Sequence, residues 1–216
     1  MKLRIDSPII TTGIKLSNLL ILNLYWVIGC LPIITIGAST IAAFTVTLKM
    51  TEDREDPGMT VQFWSAYVRN LKHGIPLTLI FAAAAYSVWI DWQLFEKLEN
   101  NPIGFLILAM LVIFLLLLHY LYVFALEARY ENRLLSNLAN SRKICVRFFL
   151  RTLGLAGILV VQFLLFTQVA PFLTYIGIFC CPILMIYTVS QISMPIFRRL
   201  EADNTAHDGF SIGGRG

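Results

Sequence analysis

Ala38-Ser39-Thr40-Ile41-Ala42-Ala43-Phe44-Thr45-Val46-Thr47-Leu48-Lys49-Met50 is the stretch on which the fold turns. It is apolar and rich in small and hydroxyl side chains. As a helix its 13 residues reach only about 20 Å, short of the ~30 Å hydrocarbon core of a bilayer. A longer apolar run, residues 14–31, precedes it, and Pro32 and Gly37 mark a tight turn between the two. If the short run carries the chain back beside the first, both chain ends lie on one side of a membrane. Charge decides the question. With that return, the segments 1–15, 49–73, 127–151 and 197–216 share one side and hold 16 of the 17 Lys and Arg residues, leaving only Lys97 opposite. Positive charge gathers on the cytoplasmic side of membrane proteins, so the short run is taken to cross and both termini are placed inside the cell.

Further apolar runs lie at 76–90 (extending from His73 towards Trp92), 103–126, 152–170 and 172–197, with Pro171 between the last two. The expected fold is therefore all-α: a polytopic bundle of about six transmembrane helices, the second one short. One domain is expected over 1–200, with a flexible cytoplasmic tail over 201–216. Composition requires such a solvent, because 57% of residues are hydrophobic, 14% are charged and the mean hydropathy is +0.73. A soluble domain of this size needs more polar surface. The first apolar run lacks a small-residue cleavage site and reads as a retained anchor. The net charge of +4 sits between apolar runs, so it reads as topology and not as nucleic-acid binding. Cys30, Cys145, Cys180 and Cys181 form no metal-ligand pattern and read as packing residues.

Two inner segments are amphipathic. In 60–75, Phe63, Trp64, Tyr67, Val68 and Leu71 recur at helical spacing opposite Arg69 and Lys72. In 127–151, Tyr130, Leu134, Leu135 and Leu138 form a stripe beside Arg129, Arg133, Arg142 and Lys143. Both read as helices lying at the cytoplasmic interface that then bend into a span, which suggests a weak two-unit repeat over 60–126 and 130–197. Trp64, Arg69, Lys72, Arg129, Arg133, Arg142 and Lys143 are the candidate contacts to a cytoplasmic partner or to lipid.

Catalytic patterns are missing: there is no metalloprotease, nucleophile-elbow or phosphate-loop motif and no carboxylate pair at membrane depth. No enzyme activity, cofactor or metal is expected. Polar residues within the spans are the functional leads, since unpaired polar groups in hydrocarbon are costly. Asn18, Asn23, Thr35, His119, Gln162 and Gln168 either line a pathway or bond one helix to another. The turn at 32–40, with Thr35, Gly37, Ser39 and Thr40, is either a ligand-facing re-entrant element or the joint between two close-packed helices.

Asn23-Leu24-Tyr25-Trp26 followed by Leu31-Pro32-Ile33-Ile34-Thr35-Ile36-Gly37-Ala38 resembles the N-terminal signature of the YesL-like family of bacterial membrane proteins. Phe63-Trp64-x-x-Tyr67-x-x-Asn70-x-Lys72-x-Gly74 resembles that family's next recurring block. The resemblance covers roughly residues 15–199. It implies a multi-pass protein of the bacterial cell membrane, encoded near carbohydrate ABC importers. It implies a non-enzymatic accessory of oligosaccharide or polysaccharide uptake whose partners are importer permease subunits and the lipid bilayer. Two other classes stay open: an autonomous small-solute transporter or channel, and a membrane sensor or regulator of glycan utilisation.

Overall fold

The computed structural model describes residues 8–52, 58–97, 104, 107, 122–130, 132–168 and 171–206; side chains are described within these except at 8–12, 94–97, 166–168, 171–181 and 203–206. The described residues form helices and their connections, with no strand among them. The helices are α1 (Pro8–Cys30), α2 (Ile36–Thr51), α3 (Met59–Lys97), α4 (122–129), α5 (Leu134–Arg147), α6 (Phe149–Gln168) and α7 (Pro171–Ala206). A short 3-10 turn, Ile33–Thr35, leads into α2.

Among the described residues, three stretches are long and apolar enough to cross a membrane: Gly13–Cys30, Ile33–Thr51 and Met59–Gln93. A fourth arises if the pair Leu134–Arg147 and Phe149–Leu165, bent by 96°, is taken as one broken span. The chain thus has the helices of a membrane protein. Of the expected span at 103–126, only residues 104, 107 and 122–126 are described.

The short second run is longer than its sequence pattern suggested and plays a different part. Gly37 sits inside α2 and does not end the turn, so the apolar stretch gains residues at its start. Of this stretch 78% is buried inside the protein, against 22% for the stretch in α1 and 11% for that in α3. Ala38, Ile41, Ala42, Ala43, Phe44, Val46 and Leu48 are all buried, and α2 packs against α1, α3 and α7. Protein, not lipid, surrounds most of it, so its length need not match a bilayer. Lys49 lies in its last turn, where a cation suits the helix dipole.

The segment 60–75 is not a separate interfacial helix. It is the first part of α3, which runs through Pro76 for 39 residues. At about 1.5 Å per residue that is roughly 58 Å of helix, more than a bilayer is thick. Proline supplies no N–H to the preceding turn, and Thr78 Oγ1 donates to the Gly74 carbonyl at 2.9 Å just beside that gap. The second amphipathic segment is split: its first residues end α4, α5 covers Leu134–Arg147, and α6 leaves α5 at the expected bend, 96°. The two halves of the proposed repeat therefore differ, one continuous and one sharply bent. Of the tail expected from Glu201, residues 201–206 continue α7, and residues 207–216 lie outside the described residues.

Candidate functional site

The signature turn is a joint between helices. Thr35 Oγ1 lies 2.9 Å from the Gly29 carbonyl, one of the oxygens left open by the end of α1, and 2.7 Å from that of Pro32, which also accepts the Thr35 N–H at 2.8 Å. Ser39 Oγ donates to the Trp26 carbonyl at 2.8 Å, and Trp26 Nε1 donates to Thr40 Oγ1 at 3.3 Å. The Gly37 N–H donates to Thr78 Oγ1 on α3 at 2.8 Å. A Cβ on Gly37 would run into the Gly74 carbonyl oxygen, and one on Gly74 into the backbone of Ala38. Two glycines let the backbones of α2 and α3 meet, as small residues do in membrane bundles. Beside this contact, Tyr25, Phe63, Trp64 and Tyr67 form an aromatic cluster with ring centroids 5.2–6.4 Å apart. Tyr25 and Thr60 share a hydroxyl hydrogen bond of 2.9 Å. Of the two readings of the turn, the joint is the one these contacts support.

Polar chemistry gathers instead where α4 ends. Arg129 binds Glu201 through both arms of its fork: Nε to Oε1 at 2.9 Å and Nη2 to Oε2 at 3.2 Å. Its Nη1 reaches Glu52, just past α2, at 3.1 Å, and the Met194 sulfur at 3.2 Å. Tyr130 donates its hydroxyl to Glu201 Oε1 at 2.6 Å. One guanidinium thus ties the ends of α2, α4 and α7 together in a geometry that suits Arg better than Lys. Burial alone would weaken the charge on Arg129, but the hydrogen bonds and charge of Glu201, then the bond to Glu52, raise its pKa above the usual value. Burial opposes ionisation of Glu201 too, yet the hydrogen bonds from Arg129 and Tyr130 and the nearby cations hold its carboxyl below the usual range. Tyr130 is pushed up, first by burial and then by the carboxylate it donates to.

Two clefts flank the 128–130 segment. The larger, about 540 Å³, is lined by Thr45, Leu48, Lys49 and Glu52 of the α2 end together with Arg129 and Glu201. The smaller, about 310 Å³, is lined by Arg69, Asn70, His73, Glu127, Tyr130 and Asn132 among others. In it His73 Nδ1 lies 3.0 Å from Glu127 Oε2. With the carboxylate as acceptor the imidazole carries its proton on Nδ1, leaving Nε2 as the basic nitrogen. The Glu127 side chain is only 2% exposed, and its Oε1 has no hydrogen-bond partner among the described residues. Such an oxygen costs about 1–3 kcal/mol unless a proton, water or ligand donor meets it.

The candidates read from sequence are therefore dispersed. Thr35 belongs to the joint. Asn23 is buried, with Oδ1 unsatisfied among the described residues. Asn18 is half-buried on α1. Gln162 Oε1 accepts from Thr188 at 3.3 Å, bonding α6 to α7. His119 and the side chain of Gln168 lie outside the described residues. Trp64 is in the aromatic cluster, while Arg69, Lys72, Arg133, Arg142 and Lys143 are exposed. Arg129, a candidate contact to a partner or to lipid, pairs within the protein with Glu201 and Glu52. Glu52, His73 and Glu201 were missed as site residues: each is an ordinary-looking charge whose partner lies more than 50 positions away.

No curated protein and no solved structure matches the chain. A family model described as "Protein of unknown function, DUF624" matches residues 19–92, from within α1 to near the end of α3. Those residues hold the Thr35 turn, the Gly37–Gly74 contact and the aromatic cluster. The helix joint thus falls within the stretch that is similar to DUF624, the YesL-like family whose signature the N-terminal region resembles.

Proposed function

We propose that this protein is a non-enzymatic component of the bacterial cell membrane that associates with a carbohydrate ABC importer, both of its termini cytoplasmic. The observation that carries the reading is the use made of the signature residues. Thr35, Gly37, Ser39, Thr40 and Gly74 hold helices together and line neither of the two clefts beside Arg129. A family mark of that kind suits a rigid scaffold. Outward, α3 presents Leu79, Ile80, Tyr86, Trp89 and Ile90, and α6 presents Ile158, Val161 and Leu165, apolar faces suited to lipid or to the helices of a permease. The importer itself comes from the family resemblance, as does the carbohydrate. Affinity purification of the tagged protein from native membranes in mild detergent tests it: permease or ATPase subunits of a sugar importer are expected to co-purify, and their absence counts against the reading.

One observation favours autonomous transport as a second reading: a buried carboxylate oxygen without a partner beside a histidine, facing a cleft. On this reading Glu127 and His73 bind or relay a proton for a moving solute. Uptake of a labelled oligosaccharide by proteoliposomes holding this chain alone would support it, with loss in Glu127→Gln. His119→Leu in the same assay tests the histidine in the expected fourth span. No uptake by the wild-type chain would remove this reading.

A further inference from the structure

The amphipathic helix α5 packs Leu134, Leu138, Ile144 and Cys145 inward, yet it also buries polar side chains and exposes apolar ones. A helix on a water-soluble bundle turns apolar side chains inward and polar ones outward. Here Asn137, Asn140 and Ser141 are buried beside Ile144 and Cys145. Leu135 and Val146 point outward at 78% and 75% exposure. The outward strip continues through the bend, where Phe149 and Leu150 are exposed as well. Arg142, Lys143, Arg147 and Arg151, all exposed, flank it. At the corner, the guanidinium groups of Arg147 and Arg151 lie 5.8 and 6.0 Å from the centre of the Phe148 ring. From Asn132 to Leu200 the sequence contains no Asp or Glu, so the charges that α5 and α6 themselves carry are all positive.

An outward face that is both apolar and cationic fits one kind of solvent. Apolar side chains at the corner suit the boundary between headgroups and acyl chains, and the cations suit phosphate. The 96° bend is the geometry of a helix that lies in the plane of that boundary and then turns into the bilayer. We infer that the elbow between α5 and α6 is a binding surface for anionic phospholipid headgroups, which Arg142, Lys143, Arg147 and Arg151 engage while Val146, Phe149 and Leu150 seat the corner among the acyl chains. The site is separate from the Arg129 cluster, whose cation is already matched by two carboxylates.

The test is lipid selectivity of the full chain in bilayers of phosphatidylcholine, measured by electron spin resonance with spin-labelled phosphatidylglycerol and spin-labelled phosphatidylcholine. A basic residue at an anionic surface shifts association about fivefold. The wild type is expected to prefer phosphatidylglycerol by at least about fivefold, and the preference should shrink in about 0.5 M salt, as screening requires. The variant carrying Arg142→Gln, Lys143→Gln, Arg147→Gln and Arg151→Gln should lose most of it. A variant with all three arginines changed to Lys should keep it, and Arg69→Gln with Lys72→Gln should leave it largely intact. Absence of a wild-type preference, insensitivity to salt, or an undiminished preference in the glutamine variant would each overturn the inference. The wild-type and salt measurements stand even if the glutamine variant does not fold.

Discussion

Gly74→Ala sets two effects of opposite sign against each other. Within a helix, Ala is favoured over Gly by about 0.8–1.0 kcal/mol, so propensity alone predicts a more stable protein. Packing predicts the reverse. The new methyl meets the nitrogen, Cα and Cβ of Ala38, and backbone atoms have no rotamer by which to yield. Overpacking costs about 1–3 kcal/mol. Parting α2 from α3 also stretches the 2.8 Å hydrogen bond from the Gly37 N–H to Thr78, a loss of about 1 kcal/mol. The clash wins, and a net destabilisation of about 1–3 kcal/mol follows. Gly154→Ala is the control: it lies on exposed α6 with no atom within 4 Å of the added carbon, so it should be neutral or slightly stabilising. Unfolding in mixed micelles by titration with sodium dodecyl sulfate reads both. A Gly74→Ala protein as stable as Gly154→Ala would refute the close approach of α2 and α3.

Thr35→Val keeps the shape of the side chain but takes the hydroxyl donor from the Gly29 carbonyl, while Pro32 keeps the backbone N–H of residue 35; it should cost about 1–2 kcal/mol in the same titration, with Thr35→Ser costing less. Arg129→Gln should cost about 1–3 kcal/mol, since two carboxylates lose their cation while water still reaches part of the cluster. In a double-mutant cycle with Glu201→Gln, the two losses should fall short of additive, and strict additivity would deny the pairing. Glu201 also sets an acid dependence. Its folded carboxyl lies below the ordinary value of about 4.3, so its contribution is complete above that pH and fades as pH falls through the folded value. A stability profile from pH 7 downward should show this loss in the wild type and lack that component in Glu201→Gln.

Membrane character and the bent α5–α6 unit were legible because each rests on a local pattern: long apolar runs in one case, a basic amphipathic stretch before an apolar one in the other. Local pattern misled where a residue has two uses. Gly37 beside Pro32 reads as turn chemistry, yet it lies inside α2 because α3 approaches there. Pro76 reads as a helix boundary, yet α3 continues through it. Burial of α2 could not be read at all: a helix enclosed by protein and one enclosed by lipid are equally apolar, and only the packing separates them. The charged cluster was half visible. Arg129 stood out in the basic segment that follows an apolar run, but its partner Glu201 is brought in by the return of α7, and the meeting of Glu127 with His73 by the length of α3, which no spacing encodes.

The proposed role of this rigid helical joint is that of a membrane component docked on a sugar importer. Site-specific photo-crosslinking in living cells addresses it most directly, with a photoreactive residue placed in turn at Trp89 of α3 and Val161 of α6, both 55–57% exposed, and at buried Ile41 of α2 as control. The account predicts a covalent adduct with an importer permease subunit from at least one outward position and only intramolecular products from Ile41. Outward positions that yield only lipid adducts, in cells that are taking up the importer's sugar, would contradict it.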